Sequence, residues 1–302
     1  MNLVQKLFNI FVKLVLNPKI FWIRINYEIK KISFDIYFFF KKKYKYNIIF
    51  LAGMPMSATT KVKNMCGMIP GYYTRYSPIP YKQAVNQNIT NSAFRYTPSW
   101  SYTLFKTHLN PNYKNLEIIK KNGVKKVIVT YRDLRDVALS RYHRLLKFPK
   151  NKDDPDFSEY QSMKKTDAIN DSIEIVYKHY IEWINGWFDI AKKEKDFVLF
   201  VKFEEMIDNP KNEFIRILNF YEINLNEKFI QHICDRTKGK GNMITNMNES
   251  KILPWAVSSN FRSGKIGNWK KEFSEENILK AKKLLGESLI KLKYENTLDW
   301  KI

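Results

Sequence analysis

The chain has 302 residues, enough to bury a sizeable core without disulfide or metal staples, and its 44% hydrophobic and 27% charged content excludes a disordered or fibrous chain. Its 52 Lys and Arg against 30 Asp and Glu give a net charge of +22, which points to an anionic partner, although a lysine-rich coding bias adds the same charge without any ligand. Two cysteines, Cys66 and Cys234, and four scattered histidines supply neither a disulfide framework nor a metal-ligand cluster, so a metal-free protein of a reducing, cytoplasmic compartment is expected.

Residues 1–46 carry ten basic side chains against Glu28 and Asp35, a net +8 ahead of the first strong strand. Residues 1–45 therefore read as a basic amphipathic appendage on a domain spanning residues 46–302. Within residues 3–16 the polar positions Gln5, Lys6, Asn9 and Lys13 fall in about a 100° arc of a helical wheel, leaving a broad apolar face. That pattern suits a helix lying on an anionic membrane surface, which would make the protein peripheral, or a helix packed on its own domain. No apolar stretch reaches the roughly 18 to 20 residues of a bilayer span, and Asn17-Pro18 ends the helix. Lys6 and Lys13 also interrupt any signal-peptide core.

Residues 46–52 (YNIIFLA), 102–106 (YTLFK), 126–131 (KVIVTY) and 196–202 (DFVLFVK) are short apolar runs of the kind buried on both faces of a parallel sheet. Helical spacing occupies residues 136–147, 173–191, 212–221 and 275–292, the last behind a Ser274 cap. The fold class is therefore α/β, with a central parallel sheet flanked by helices and its ligand expected at the carboxyl ends of the strands.

Three segments carry chemistry. Residues 53–60 (GMPMSATT) place small and hydroxyl residues between a buried strand and a helix, an anion cradle; Ala58-Thr59-Thr60 stands where a Walker A loop needs Gly-Lys-Ser/Thr, which disfavours ATP hydrolysis. In residues 130–140 (TYRDLRDVALS), Arg132 at a strand end and Ser140 two turns on can meet on one anion, or Arg132 simply pairs with Asp136. Residues 261–270 (FRSGKIGNWK) form a basic glycine-containing loop in which Trp269 either anchors the loop or covers a base, or else a plain surface turn.

In this order and spacing the three segments resemble the PAPS-dependent sulfotransferase family, whose fold is like that of the P-loop kinases. The family moves a sulfuryl group from 3′-phosphoadenosine-5′-phosphosulfate (PAPS) to a hydroxyl or amine, leaving PAP. Phe105-Lys106-Thr107-His108-Leu109 is similar to its Lys-Thr-His stretch, and Phe203-Glu204-Glu205-Met206 with Asn209-Pro210 to its Tyr-Glu-Asp segment. Lys291-Leu292-Lys293-Tyr294-Glu295 resembles the C-terminal end of bacterial members.

The resemblance implies roles residue by residue. Ser57, Ala58, Thr59 and Thr60 fall on the 5′-phosphosulfate loop, with Thr59 and Thr60 as hydroxyl donors. Arg132 and Ser140 match the 3′-phosphate pair, Arg262, Ser263 and Gly264 the loop closing on that phosphate, and Phe203 the adenine-facing tyrosine. His108 matches the catalytic base, and Lys106, on the same strand face, would stabilise the sulfuryl oxygens. Met56 stands where the family has a lysine on the leaving group, with Lys61 or Lys63 as its substitute, and Ala58 stands where the family has glycine. The aromatics of residues 68–102 suit a hydroxyl-bearing acceptor, a glycan, glycolipid or small aromatic alcohol. The competing reading is a catalytically impaired PAP-, anion- or nucleic-acid-binding protein that keeps the nucleotide fold. No nucleic-acid motif appears, so no specific nucleic-acid partner is expected.

Overall fold

The computed structural model describes residues 18–74, 87–147, 159–237 and 264–300. The amphipathic stretch expected at residues 3–16 lies outside them, as do Arg262 and Ser263. In chain order the elements are α1 (Pro18–Phe40), β1 (Ile48–Ala52), α2 (Thr59–Cys66), β2 (Tyr72–Tyr73), a 3-10 turn (Asn91–Phe94), β3 (Tyr102–Thr107), α3 (Tyr113–Lys121) and β4 (Val127–Tyr131). There follow α4 (Leu134–Lys147), α5 (Lys165–Lys193), β5 (Val198–Lys202), α6 (Phe203–Asp208), α7 (Pro210–Phe220), α8 (Glu227–Arg236), α9 (Trp269–Glu272) and α10 (Glu275–Lys291).

The four expected strands are β1, β3, β4 and β5; with the two-residue β2 they make one parallel sheet in the order β2-β3-β1-β4-β5. Alternation along β1 shows why these runs are apolar throughout. Ile48, Phe50 and Ala52 point into a core shared with α4, α5 and α10, where Val137, Trp183, Trp187 and Leu285 are buried. Ile49 and Leu51 point into a second core against α2, α7 and α8, where Val62, Phe214, Ile217 and Ile233 are buried. A strand that feeds two cores has no polar side to show. Helix α10 opens on a capping box, with Ser274 Oγ accepting from Asn277 N and Asn277 Oδ1 accepting from Ser274 N at 3.1 Å.

Pro18 stands at the first position of α1, where its missing N–H costs nothing. The end of this basic segment is not detached from the domain. Phe38 and Tyr44 are buried in the second core, and Tyr44 packs within 5.3 Å of Tyr72 and 5.1 Å of Tyr102, centroid to centroid. Among the described residues no helix is long and apolar enough to cross a membrane.

The chain runs from β1 outward to β2, returns to β3 beside β1, and then crosses to β4 on β1's other side. That reversal of winding opens a crevice at the carboxyl ends of β3, β1 and β4, the place where open α/β sheets bind ligands.

Candidate functional site

Three loops meet in that crevice. After β1, Gly53 N donates to Thr107 O at 3.1 Å and Met54 N to Thr130 O at 2.8 Å, tying the loop to both neighbouring strands. Gly53 is obligatory on steric grounds, since a Cβ there would lie 2.1 Å from Thr59 Oγ1 and 2.4 Å from Thr130 Oγ1. The loop then turns through two left-handed residues, Met56 (φ 67) and Ala58 (φ 62), before α2 begins. Left-handed backbone costs a residue with a Cβ about 1 kcal/mol or more, which gives a physical reason for glycine at the position Ala58 holds here.

Ser57 and Thr59 turn their hydroxyls inward. Ser57 Oγ donates to Met54 O at 2.5 Å and meets Thr130 Oγ1 at 2.7 Å, and Thr59 Oγ1 meets the same hydroxyl at 2.9 Å. The Thr59 hydroxyl, expected to donate to a ligand, is engaged with Thr130 and Met54 O, and the Ser57 hydroxyl likewise helps to build the loop. Among the described residues no carbonyl takes the N–H groups of Ser57, Ala58, Thr59 or Thr60. The loop thus presents backbone donors at the N-terminus of α2, where the helix dipole also favours an anion.

From β3, Lys106 Nζ donates to Thr60 Oγ1 at 3.0 Å, so the β3 cation and the loop hydroxyl share one side of the crevice. His108 follows, with Nδ1 2.5 Å from Gly53 O. A carbonyl only accepts, so Nδ1 carries the proton and Nε2 is left as the basic nitrogen. Burial, and then the Lys106 charge, lower the His108 pKa to about 3, keeping the ring neutral at physiological pH. Burial also lowers Lys63 and Lys106 to about 8, with Lys106 acting on Lys63 and Arg144 on both Lys106 and His108.

Three half-buried cations thus repel one another beside a neutral imidazole. Lys63 feels the Lys106 charge, so the two lysines stand on the same side of the crevice.

From β4 comes Arg132, buried and held on every side. It donates to Ser140 Oγ at 3.2 Å and Lys265 O at 2.9 Å, pairs with Asp136 at 3.2 Å, and lies 3.9 Å from the centroid of the Phe203 ring. The two sequence alternatives for Arg132 are therefore simultaneous: it meets Ser140 and it pairs with Asp136. Its Nε is buried without a partner, a donor left over for a ligand. Asp136 also accepts from Gly267 N at 2.8 Å and Trp269 N at 3.2 Å, fastening the last loop to the β4 end. Trp269 is the anchor of that loop, buried between Arg135 and Trp300. Gly264 is described, with φ 64, and Arg262 and Ser263 are not.

Two neighbours of the site were not singled out from the sequence. Gln87 grips the β3 end from both sides, accepting from His108 N through Oε1 at 2.8 Å and donating its own N–H to His108 O at 3.0 Å. Arg144 lies one turn beyond Ser140 on the same face of α4; that i, i+4 spacing could have singled it out. The aromatics expected to line an acceptor site are spent elsewhere in part, since Tyr72, Phe94 and Tyr102 are core residues while Tyr76 and Tyr81 lie outside the described residues.

An α/β sheet wound in this order, with backbone donors after β1 and a buried arginine after β4, gathers anion-binding groups at its switch point. The sulfotransferase domain family matches residues 47–293, and the chain belongs to that family. It is similar to mouse sulfotransferase 1E1, 26% identical over 238 residues that cover 74% of this chain and 77% of that protein. It is also similar to dog sulfotransferase 1B1, 30% identical over 154 residues covering 49% of each. Among solved structures, mouse sulfotransferase SULT7A1 complexed with PAP shares the fold at a TM-score of 0.62 and 20% identity, covering 85% of this chain and 88% of that one. So does retinol dehydratase in complex with androsterone and PAP, with a TM-score of 0.55, 19% identity and coverage of 85% and 82%.

Proposed function

We propose that this protein transfers a sulfuryl group from PAPS to the hydroxyl of a small acceptor, with His108 as the general base. The observation that carries the reading is the His108–Gly53 hydrogen bond: it leaves Nε2 as the basic atom beside Lys106 and the anion loop. The residues fit the nucleotide. Backbone N–H groups of residues 57–60 with the Thr60 hydroxyl would hold the 5′ end, and Arg132 with its spare Nε, Ser140 and the Arg262–Ser263–Gly264 loop the 3′-phosphate. Phe203, already under the Arg132 guanidinium, would border the adenine.

PAPS supplies the sulfuryl group. His108 Nε2 takes the acceptor's proton as the oxygen attacks, Lys106 neutralises charge gathering on the sulfuryl oxygens, and Lys63 stands in for the missing lysine at Met56. A bound dianion would also raise the His108 pKa from about 3, because it offsets the cations that depress it, and so makes the ring a better base. The neighbour solved with androsterone supports a hydroxyl-bearing small molecule as acceptor, ahead of a glycan or glycolipid.

Labelled PAPS with a panel of phenols, steroids and sugars tests the activity. His108→Ala should abolish transfer and leave PAP affinity nearly unchanged, the pattern of a group that acts in the transition state. Sustained turnover by His108→Ala would overturn the assignment. Met56→Lys should leave kcat unchanged if Lys63 supplies the charge and raise it otherwise. PAP binding with no transfer to any acceptor class would favour a nucleotide-binding protein without turnover.

A further inference from the structure

Helix α1 presents two unlike faces. Its inner face sends Phe34 and Phe38 against Tyr73 and Tyr102, docking the helix on the β2–β3 edge of the sheet. On the outer face Trp22, Ile29, Ile32, Ile36, Phe39 and Phe40 are each more than half exposed, from 55% at Ile29 to 82% at Phe40. At 100° per residue these six fall within a sector of about 100°, a continuous stripe along a helix of about 35 Å. Trp100, itself 48% exposed, extends it through an edge contact with Phe39 at 6.2 Å. Scattered apolar side chains on a surface need no account, but a contiguous stripe of this size calls for a partner.

The charge around the stripe selects the partner. Among the described α1 side chains, every exposed position is apolar, amide, hydroxyl or Lys30, and the two carboxylates, Glu28 and Asp35, are half-buried. At its C-terminal end follow Lys41, Lys42 and Lys43, all exposed. Residues 1–46 carry +8 within a chain of +22, a balance that opposes self-association and favours an anionic surface. Trp and Phe on an apolar face, with lysines beside it and no exposed acid, are the composition of a helix that lies in the headgroup plane. The helix is too polar to cross a membrane.

We infer that α1 is an interfacial helix, seating the protein on an anionic lipid surface through the stripe from Trp22 to Phe40, with Lys41–Lys43 against the headgroups. The stripe includes none of the residues assigned to the proposed reaction, so the inference stands apart from it.

The test is sedimentation of the full chain with vesicles of phosphatidylcholine, alone or with about a third phosphatidylserine, at 0.1 and 0.5 M salt. Wild type should bind the mixed vesicles at low salt and partition roughly tenfold less into neutral vesicles or at high salt, as headgroup attraction is screened. The double variant Ile32→Glu/Ile36→Glu changes two exposed residues and should keep its circular dichroism and PAP affinity while losing vesicle binding at least tenfold. Three results would overturn the inference. Equal sedimentation of variant and wild type would place any binding in residues 1–17. No sedimentation of either would remove the lipid partner. A wild-type dimer, without lipid, that Ile32→Glu/Ile36→Glu makes monomeric would assign the stripe to a second copy.

Discussion

The cations of the crevice make PAP affinity depend on pH in a defined direction. Lys63 and Lys106 titrate near 8 in the free protein because each is half-buried and each has a cation beside it. A bound dianion removes that repulsion and returns both toward the ordinary lysine value near 10.4. Each lysine is then almost fully charged at pH 7 in both states, while at pH 9 the free protein has lost most of that charge and must take up a proton to bind. The sign follows: affinity is full below pH 7 and falls as pH rises through 8. Per lysine the loss between pH 7 and 9 is about tenfold, or about 1.4 kcal/mol; two lysines acting together give up to about a hundredfold. The phosphates of PAP, with second ionisations near 6, stay dianionic across this window. His108, neutral in the free protein, contributes nothing above pH 7 unless the ligand raises it that far. Calorimetry at pH 8 in two buffers of different ionisation enthalpy should show uptake of about one proton per PAP, and Lys63→Gln should roughly halve it. A PAP affinity flat from pH 7 to 9, with enthalpies independent of buffer, would refute the placing of the anion against these lysines.

Two further substitutions separate binding from scaffolding. Arg132→Ala should weaken PAP by roughly 10- to 150-fold, about 1.5–3 kcal/mol for a charge-assisted contact, whereas Arg135→Ala should cost about 3–5 kcal/mol of stability and leave affinity unchanged in the folded protein; calorimetry and denaturant unfolding read the two quantities. Ala58→Gly should relieve the left-handed strain at φ 62 and raise stability by up to about 1 kcal/mol, less the entropy that glycine adds to the unfolded chain. An unfolding midpoint lowered by Ala58→Gly by the full cost of the added chain entropy would mean that the loop bears no strain there.

The strands were legible because each feeds two cores and is therefore apolar without alternation; the expected runs miss the observed starts of β1, β4 and β5 by one or two residues. The anchors of the crevice were legible as well, since Arg132 and Ser140 lie two helical turns apart and Lys106 and His108 share a strand face. What the sequence hides is direction. Ser57 and Thr59 look like ligand donors until Thr130, 71 residues away from Thr59, is seen to hydrogen-bond with both hydroxyls. Gln87 carries no local pattern at all, because its role comes from a single bridge to Leu109 beside His108. Aromatic density in residues 68–102 is ambiguous for a related reason: Tyr72 and Tyr102 bury the rings that a binding surface would expose.

The stretch Arg132-Asp133-Leu134-Arg135-Asp136 shows why residue type alone cannot assign a binding arginine. Both arginines are buried and both have an aspartate nearby. Arg135 is saturated: Asp133 grips its Nε at 3.0 Å and its other end at 2.7 Å, Glu295 meets it at 2.5 Å, and the Trp269 and Trp300 rings lie 3.9 and 4.5 Å from its guanidinium carbon. Two carboxylates over-neutralise one guanidinium, so nothing is left for an anion, and the arrangement instead locks the C-terminal Tyr294-Glu295 turn to β4 and, through Tyr294 and Glu204, to α6. Arg132 has one carboxylate, and Asp136 divides its charge between that arginine and two backbone N–H groups of the last loop. Its positive charge is only partly cancelled, and its Nε has no acceptor. An anion arriving there would draw Arg132 toward itself at the expense of Asp136, the residue that fastens the loop containing Gly264 and Lys265. On the proposed function, nucleotide binding and the seating of that loop would be coupled through this one carboxylate.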